Sequence, residues 1–169
     1  MLLALRTNQE QAAIPVDYLI VKWLHVLSAT LLFGTGVGTA WYMLFASLSR
    51  DARAAAVVMR HGVRADWLFT ASTVVLQPLT GWYLVERMQL PLSTPWLAWS
   101  IGLFALAVAC WLPVVWLQLQ LRDLAQQAVL HDQPLPPRYF RLLAVWTALG
   151  VPAALALLAV FFLMVAKPV

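Results

Sequence analysis

Two sets of side chains in this chain could do chemistry in an otherwise apolar setting. The first is a single imidazole. His25 lies in the uncharged run 23–49, and of the three histidines it alone sits inside an apolar run. An ionisable group at membrane depth is a functional candidate by default. The chemistry an imidazole offers there is axial ligation of haem b or a proton relay. The competing account is a neutral interfacial histidine, one turn inside Trp23, bonded to a carbonyl or water. A second iron ligand would be Met88 or Met164, or be absent. His61 lies ~36 Å away along the helix rise, and His131 sits in a loop, so neither completes a bis-histidine pair.

The second set is a stripe. Asp66, Thr70, Thr73, Gln77 and Thr80 follow one another at spacings of four, three, four and three. On a helix that spacing puts all five on one face. Such a stripe could line a proton or small-molecule path in an oligomer. The alternative is interhelical hydrogen bonding, worth ~0.6 kcal/mol per contact in membranes. Only Asp66 in the stripe titrates. A cytoplasmic-side arginine, Arg122 at the foot of the third span, is its expected partner. Other chemistry is missing from the sequence. It holds no CxxC, no HExxH and no glycine-rich phosphate loop after a strand. Cys110 is the only cysteine and lies mid-span, where a buried free thiol is expected. No metal cluster is expected, and any enzymatic activity is disfavoured.

The elements that must position these groups are plain. Of 169 residues 63% are hydrophobic and 11% charged, where a soluble domain carries roughly a quarter charged. The deficit is explained if most of the surface faces lipid. Four uncharged runs, 23–49, 67–85, 95–121 and 142–166, each exceed the ~18 residues that mark a spanning helix. The chain therefore reads as all-α, a single membrane domain over 1–169. It is expected to be an antiparallel up-down bundle of four transmembrane helices, with spans near 18–48, 66–86, 95–121 and 140–166. The gap 50–66 has high helix propensity, so helix two should begin before the membrane. Helix three should run on through 123–130 until Pro134, Pro136 and Pro137 force a turn. Thr94 before Pro95 reads as an N-cap. Met1 to Arg6 does not read as a signal peptide, and the polar residues 7–16 read as a lead-in.

Charge sets the orientation. The side with both termini carries Arg6, Lys22, Arg87 and Lys167; the other side carries seven arginines in two loops. The positive-inside rule puts the arginine loops in the cytoplasm and both termini outside. The arginines sit singly in short loops, so nucleic acid is not a partner. The lipid bilayer is, and other membrane proteins or a second copy are candidates.

Small residues set the packing. Gly34 and Gly38 form a GxxxG pair roughly opposite His25, whose own face carries Ser28, Ala29, Leu32 and Gly36. Span one, with small residues on two faces, is expected to be central. Trp111, deep in span three, should pack inside the bundle.

Several of these segments carry a resemblance. They are Lys22-Trp23-Leu24-His25-Val26-Leu27-Ser28, Ala65-Asp66-Trp67, Gln77-Pro78-Leu79-Thr80-Gly81, Cys110-Trp111-Leu112-Pro113-Val114 and Leu149-Gly150-Val151-Pro152-Ala153, with the ending Leu163-Met164-Val165-Ala166-Lys167-Pro168. Over nearly the whole chain they resemble a bacterial family of predicted integral membrane proteins of unknown function. The Trp-Leu-x-His start of span one is more distantly similar to copper-resistance-D-like and HemJ-type membrane proteins. The HemJ likeness implies haem b on a first-helix histidine, which reaches only His25; span three has no His or Lys to match the family's later pair. An inner-membrane location is expected. The reading that follows is a small non-enzymatic membrane subunit or accessory protein. A haem-b redox protein using His25 and an oligomeric carrier using the stripe are the alternatives.

Overall fold

A computed structural model describes residues 15–168. The first residues, including most of the polar lead-in, lie outside it. Four helices long and apolar enough to cross a membrane follow in order. They are α1 (Val16–Leu48), α2 (Ala52–Arg87), α3 (Pro95–Leu130) and α4 (Pro137–Ala166). As expected, α2 begins well before its apolar run and α3 continues past its own. At 1.5 Å per residue, 36 residues span ~54 Å, so both helices must project from a ~30 Å hydrocarbon layer. The bundle therefore has two unlike ends. One, the arginine end, carries loops 49–51 and 131–136. The other, the terminal end, carries loop 88–94 and both ends of the described chain.

Local chemistry explains the helix limits. Asp51 caps α2 by accepting from the backbone N–H groups of Arg53 at 2.8 Å and Ala54 at 3.3 Å. Pro95 and Pro137 open α3 and α4, where a missing N–H costs nothing. Thr94 is not a side-chain cap: its hydroxyl donates to the Pro91 carbonyl at 2.6 Å and tightens the preceding turn instead.

The core sits at the arginine end. Met43, Ala55, Met59, Leu121, Ala125 and Tyr139 are fully buried there and draw on all four helices. The Tyr139 and Ser47 hydroxyls bond each other at 2.7 Å and tie α4 to α1. Toward the terminal end the bundle splits into two hairpins. The outer part of α2, Ala71–Arg87, packs chiefly on α1, and α3 packs along α4. Large apolar side chains point outward on every helix, among them Leu31, Val75, Leu112 and Phe162. Such a surface suits lipid or another membrane helix.

Span one is not central. It packs along α2 and touches α4, without substantial contact to α3. A Cβ added at Gly34 or Gly38 would meet no atom within 4 Å. The GxxxG face is thus not a contact among the described residues. Small residues permit close approach, but the apolar core at the other end decides which faces meet. The glycine that the fold does require is Gly62 in α2. A Cβ there would lie 2.5 Å from the Sδ of the fully buried Met43.

Candidate functional site

The stripe of α2 meets α1 and α3 in two separate polar clusters. Near the terminal end, His25 of α1 faces Thr80 of α2, with Nδ1 and Oγ1 2.8 Å apart. The Thr80 hydroxyl also lies 2.7 Å from the Leu76 carbonyl, which can only accept. With that proton committed, Thr80 accepts from His25 Nδ1–H. The ring is then the tautomer whose Nε2 carries a lone pair, and no polar partner meets Nε2 among the described residues. Gly81 lies flat beside the ring; a Cβ there would sit 3.4 Å from Cε1. One turn deeper, the Gln77 amide donates to the His25 carbonyl at 2.9 Å and to Ser28 Oγ at 2.6 Å. These bonds join His25 to the stripe, which sequence spacing had kept apart.

Of the two methionines, Met88 accepts a bond from the Tyr18 hydroxyl at 3.5 Å, while Met164 is half-buried on α4. Neither is hydrogen-bonded to His25. At the same end Tyr83 and Arg87 of α2 both bond Asp17 of α1, an exposed clasp across the hairpin.

The second cluster lies toward the arginine end. α2 widens there into one π turn, Asp66–Thr70, in which the Ala71 N–H bonds the Asp66 carbonyl five residues back. Single π turns often mark functional sites. Asp66 is buried, and its two carboxyl oxygens are taken by different donors. Thr70 Oγ donates to one at 3.0 Å and Gln118 Nε2 of α3 to the other at 2.7 Å. The expected arginine partner is thereby overturned. Arg122 lies one turn further out and bonds its neighbour Asp123 at 2.8 Å. An amide at the depth of the carboxyl reaches it; a guanidinium a turn lower stays in water. Thr73, between the two clusters, bonds only carbonyls of its own helix.

Gln118 is the group that sequence reasoning missed; Ser28 was placed on the His25 face but given no partner on the stripe. The signal for Gln118 was present: it is an amide inside an uncharged run, at the same end of its span as Asp66 in an antiparallel neighbour.

Above Asp66, where the hairpins part, is a cavity of about 280 Å³. Its walls are apolar and come from all four helices, and Asp66, Thr70 and Gln118 stand at one end of it. Trp111 does lie within the bundle, on the cavity wall.

Four apolar spanning helices with lipid-facing side chains and seams sealed by buried polar bonds define a multi-pass integral membrane protein. Residues 19–168 match the family model described as "Predicted integral membrane protein (DUF2269)". The chain belongs to that family. No curated protein and no solved structure matches it.

Proposed function

We propose that this protein is a non-enzymatic accessory subunit of a bacterial inner membrane, acting through contact of α1 with a second transmembrane helix. The observation that carries this reading is the open glycine face. Gly34 and Gly38 lie mid-span with nothing among the described residues against them, and Leu27, Leu31, Trp41 and Phe45 continue the same exposed face. A GxxxG pair lets another backbone approach closely, which is how helices associate where lipid removes the hydrophobic drive. The stripe supports a structural role rather than a carrier path, because Asp66, Gln77 and Thr80 are each engaged in a helix–helix bond. The cationic imbalance favours cytoplasmic arginine loops and periplasmic termini; reporter fusions after Asp51 and His131 reading periplasmic would reverse that orientation.

The test of the contact is cross-linking in native membranes. In a Cys110→Ala background, Leu31→Cys should yield a disulfide-linked or maleimide-linked adduct. Gly34→Leu should remove the adduct while leaving detergent melting near wild type, within the ~0.5 kcal/mol usual for surface changes. An absent adduct, or one indifferent to Gly34→Leu, sinks this reading.

A second reading is favoured by one observation. The Nδ1–H of His25 is anchored on Thr80 and leaves Nε2 free, the arrangement metal-ligating histidines adopt. His25 would hold haem b through Nε2, and the bound group would supply one-electron chemistry. A Soret band lost in His25→Ala supports it; a colourless protein that ignores added haemin ends it.

A further inference from the structure

An apolar window opens in the seam between α1 and α4. Toward the arginine end the Ser47–Tyr139 hydrogen bond closes the seam. Toward the terminal end the rings of Phe33 and Phe161 close it edge to face, with centroids 5.6 Å apart. Between these two contacts lies the cavity of about 280 Å³. Its exposed wall residues are Val37 and Trp41 of α1 and Val151 of α4, so its mouth faces lipid at mid-membrane.

The polar groups around the cavity are engaged or enclosed. Asp66 accepts from Thr70 and Gln118, and the Thr147 hydroxyl donates to the Leu143 carbonyl. The indole N–H groups of Trp111 and Trp146 are buried within the wall. The space therefore offers apolar contact. Such a void stays dry, and its lining lacks dispersion partners until an apolar body fills it. The apolar body at the mouth is the acyl chain of a bilayer lipid. A cavity of about 150 Å³ holds the six carbons of benzene, so about 280 Å³ holds roughly eleven carbons of a chain.

A headgroup site stands over the same seam. The Cζ of Arg50, just past the end of α1, lies 5.6 Å from the centroid of the Phe140 ring of α4. Arg50 directly follows the uncharged run 23–49, which puts it at the boundary where lipid phosphates lie. Its φ is 60°, a conformation that suits glycine, yet the position carries a cation. Among the described residues Arg50 makes no ion pair, and Asp51 beside it is taken up in capping α2. Phe140 and Val151 lie within ~20° of each other around α4, so the cation and the mouth share one side of that helix. The near lip of the cavity, Thr147, is ~10 Å from Phe140 along the helix, inside the ~15 Å depth of one leaflet.

We infer that this seam binds one anionic phospholipid, with its phosphate on Arg50 and the end of one acyl chain in the cavity between α1 and α4. The mouth borders the glycine face, and Trp41 belongs to both. The test therefore relies on residues found at one of the two only.

The full chain in mild detergent is equilibrated with an equal mixture of dioleoyl phosphatidylglycerol and dioleoyl phosphatidylcholine, and retained lipid is counted by native mass spectrometry. One phosphatidylglycerol should be retained, about fivefold in preference to phosphatidylcholine, as one interfacial cation provides. Arg50→Gln should remove the preference. Arg53 pairs with Asp132 at the same end, and Arg53→Gln should leave it intact. Gly36 and Gly150 line the cavity, and a Cβ at either meets no atom within 4 Å. Leucine at either position takes the chain's space and should abolish retention of both lipids. Dihexanoyl phosphatidylglycerol has the headgroup but chains too short to reach the mouth, and it should not displace the dioleoyl lipid. Gly34→Leu should leave retention unchanged, which separates this site from the helix contact. Melting curves establish that each variant is folded; if a cavity variant is not, the other one and the short-chain competition carry the comparison. Equal retention of the two headgroups would overturn the inference. So would undiminished preference in Arg50→Gln, undiminished retention in a folded Gly36→Leu or Gly150→Leu, displacement by the dihexanoyl lipid, or loss of retention in Gly34→Leu.

Discussion

Gly62→Leu is expected to destabilise the fold by about 1–3 kcal/mol, the usual cost of overpacking a filled core. An added Cβ at Gly62 would lie 2.5 Å from Met43 Sδ, 3.1 Å from Cγ and 3.3 Å from Cε. Three atoms of one side chain would have to move together. Met43 is fully buried in the cluster that joins all four helices at the arginine end, so its retreat displaces neighbours in turn. Detergent melting should fall by several degrees for Gly62→Leu and not for Gly34→Leu. Met43→Ala in the Gly62→Leu background should recover part of the loss by vacating the space. Wild-type melting of Gly62→Leu would mean that α1 and α2 do not pack as closely as described.

This contrast shows what the sequence could reveal and what it could not. The four spans were legible because lipid imposes a length and a composition on any helix that crosses it. The extension of α2 and α3 beyond the apolar layer was legible too, from helix propensity and from the three prolines after residue 133. Which glycine makes a close contact was not legible. Gly34 and Gly38 form a motif, yet they face outward, while the lone Gly62 beside charged residues is the one that is filled. A motif records which approach is sterically permitted; the approach itself depends on the partner face, and that face belongs to a distant stretch of chain. The stripe behaved similarly. Its five residues were identifiable from spacing alone, but its partners His25, Ser28 and Gln118 are supplied by other helices. The π turn at Asp66–Thr70 left no recognised signal.

Gln118→Leu is expected to cost about 1–2 kcal/mol, above the ~0.6 kcal/mol average for a hydrogen bond between membrane helices. The reason is the acceptor. Asp66 is 5% exposed, and Gln118 donates to its carboxyl from another helix at 2.7 Å. Without it one buried carboxyl oxygen loses its donor, and an unmade bond costs more than a made one gains. Thr70→Val should cost less, because Thr70 lies on the same helix as Asp66 and its loss leaves the α2–α3 bond intact. Asp66→Leu alone strands the Gln118 amide in the same way. The double variant Asp66→Leu/Gln118→Leu removes both groups at once, so its cost should fall short of the sum of the singles by about 1 kcal/mol or more. Arg122→Gln provides the control. Arg122 is committed to Asp123 at the helix foot, so its cycle with Asp66 should show coupling within the ~0.5 kcal/mol error of additivity. A larger coupling to Arg122 than to Gln118 would restore the ion pair that charge alone suggests, and would require α3 to sit one helical turn away from the register in which the amide meets the carboxyl.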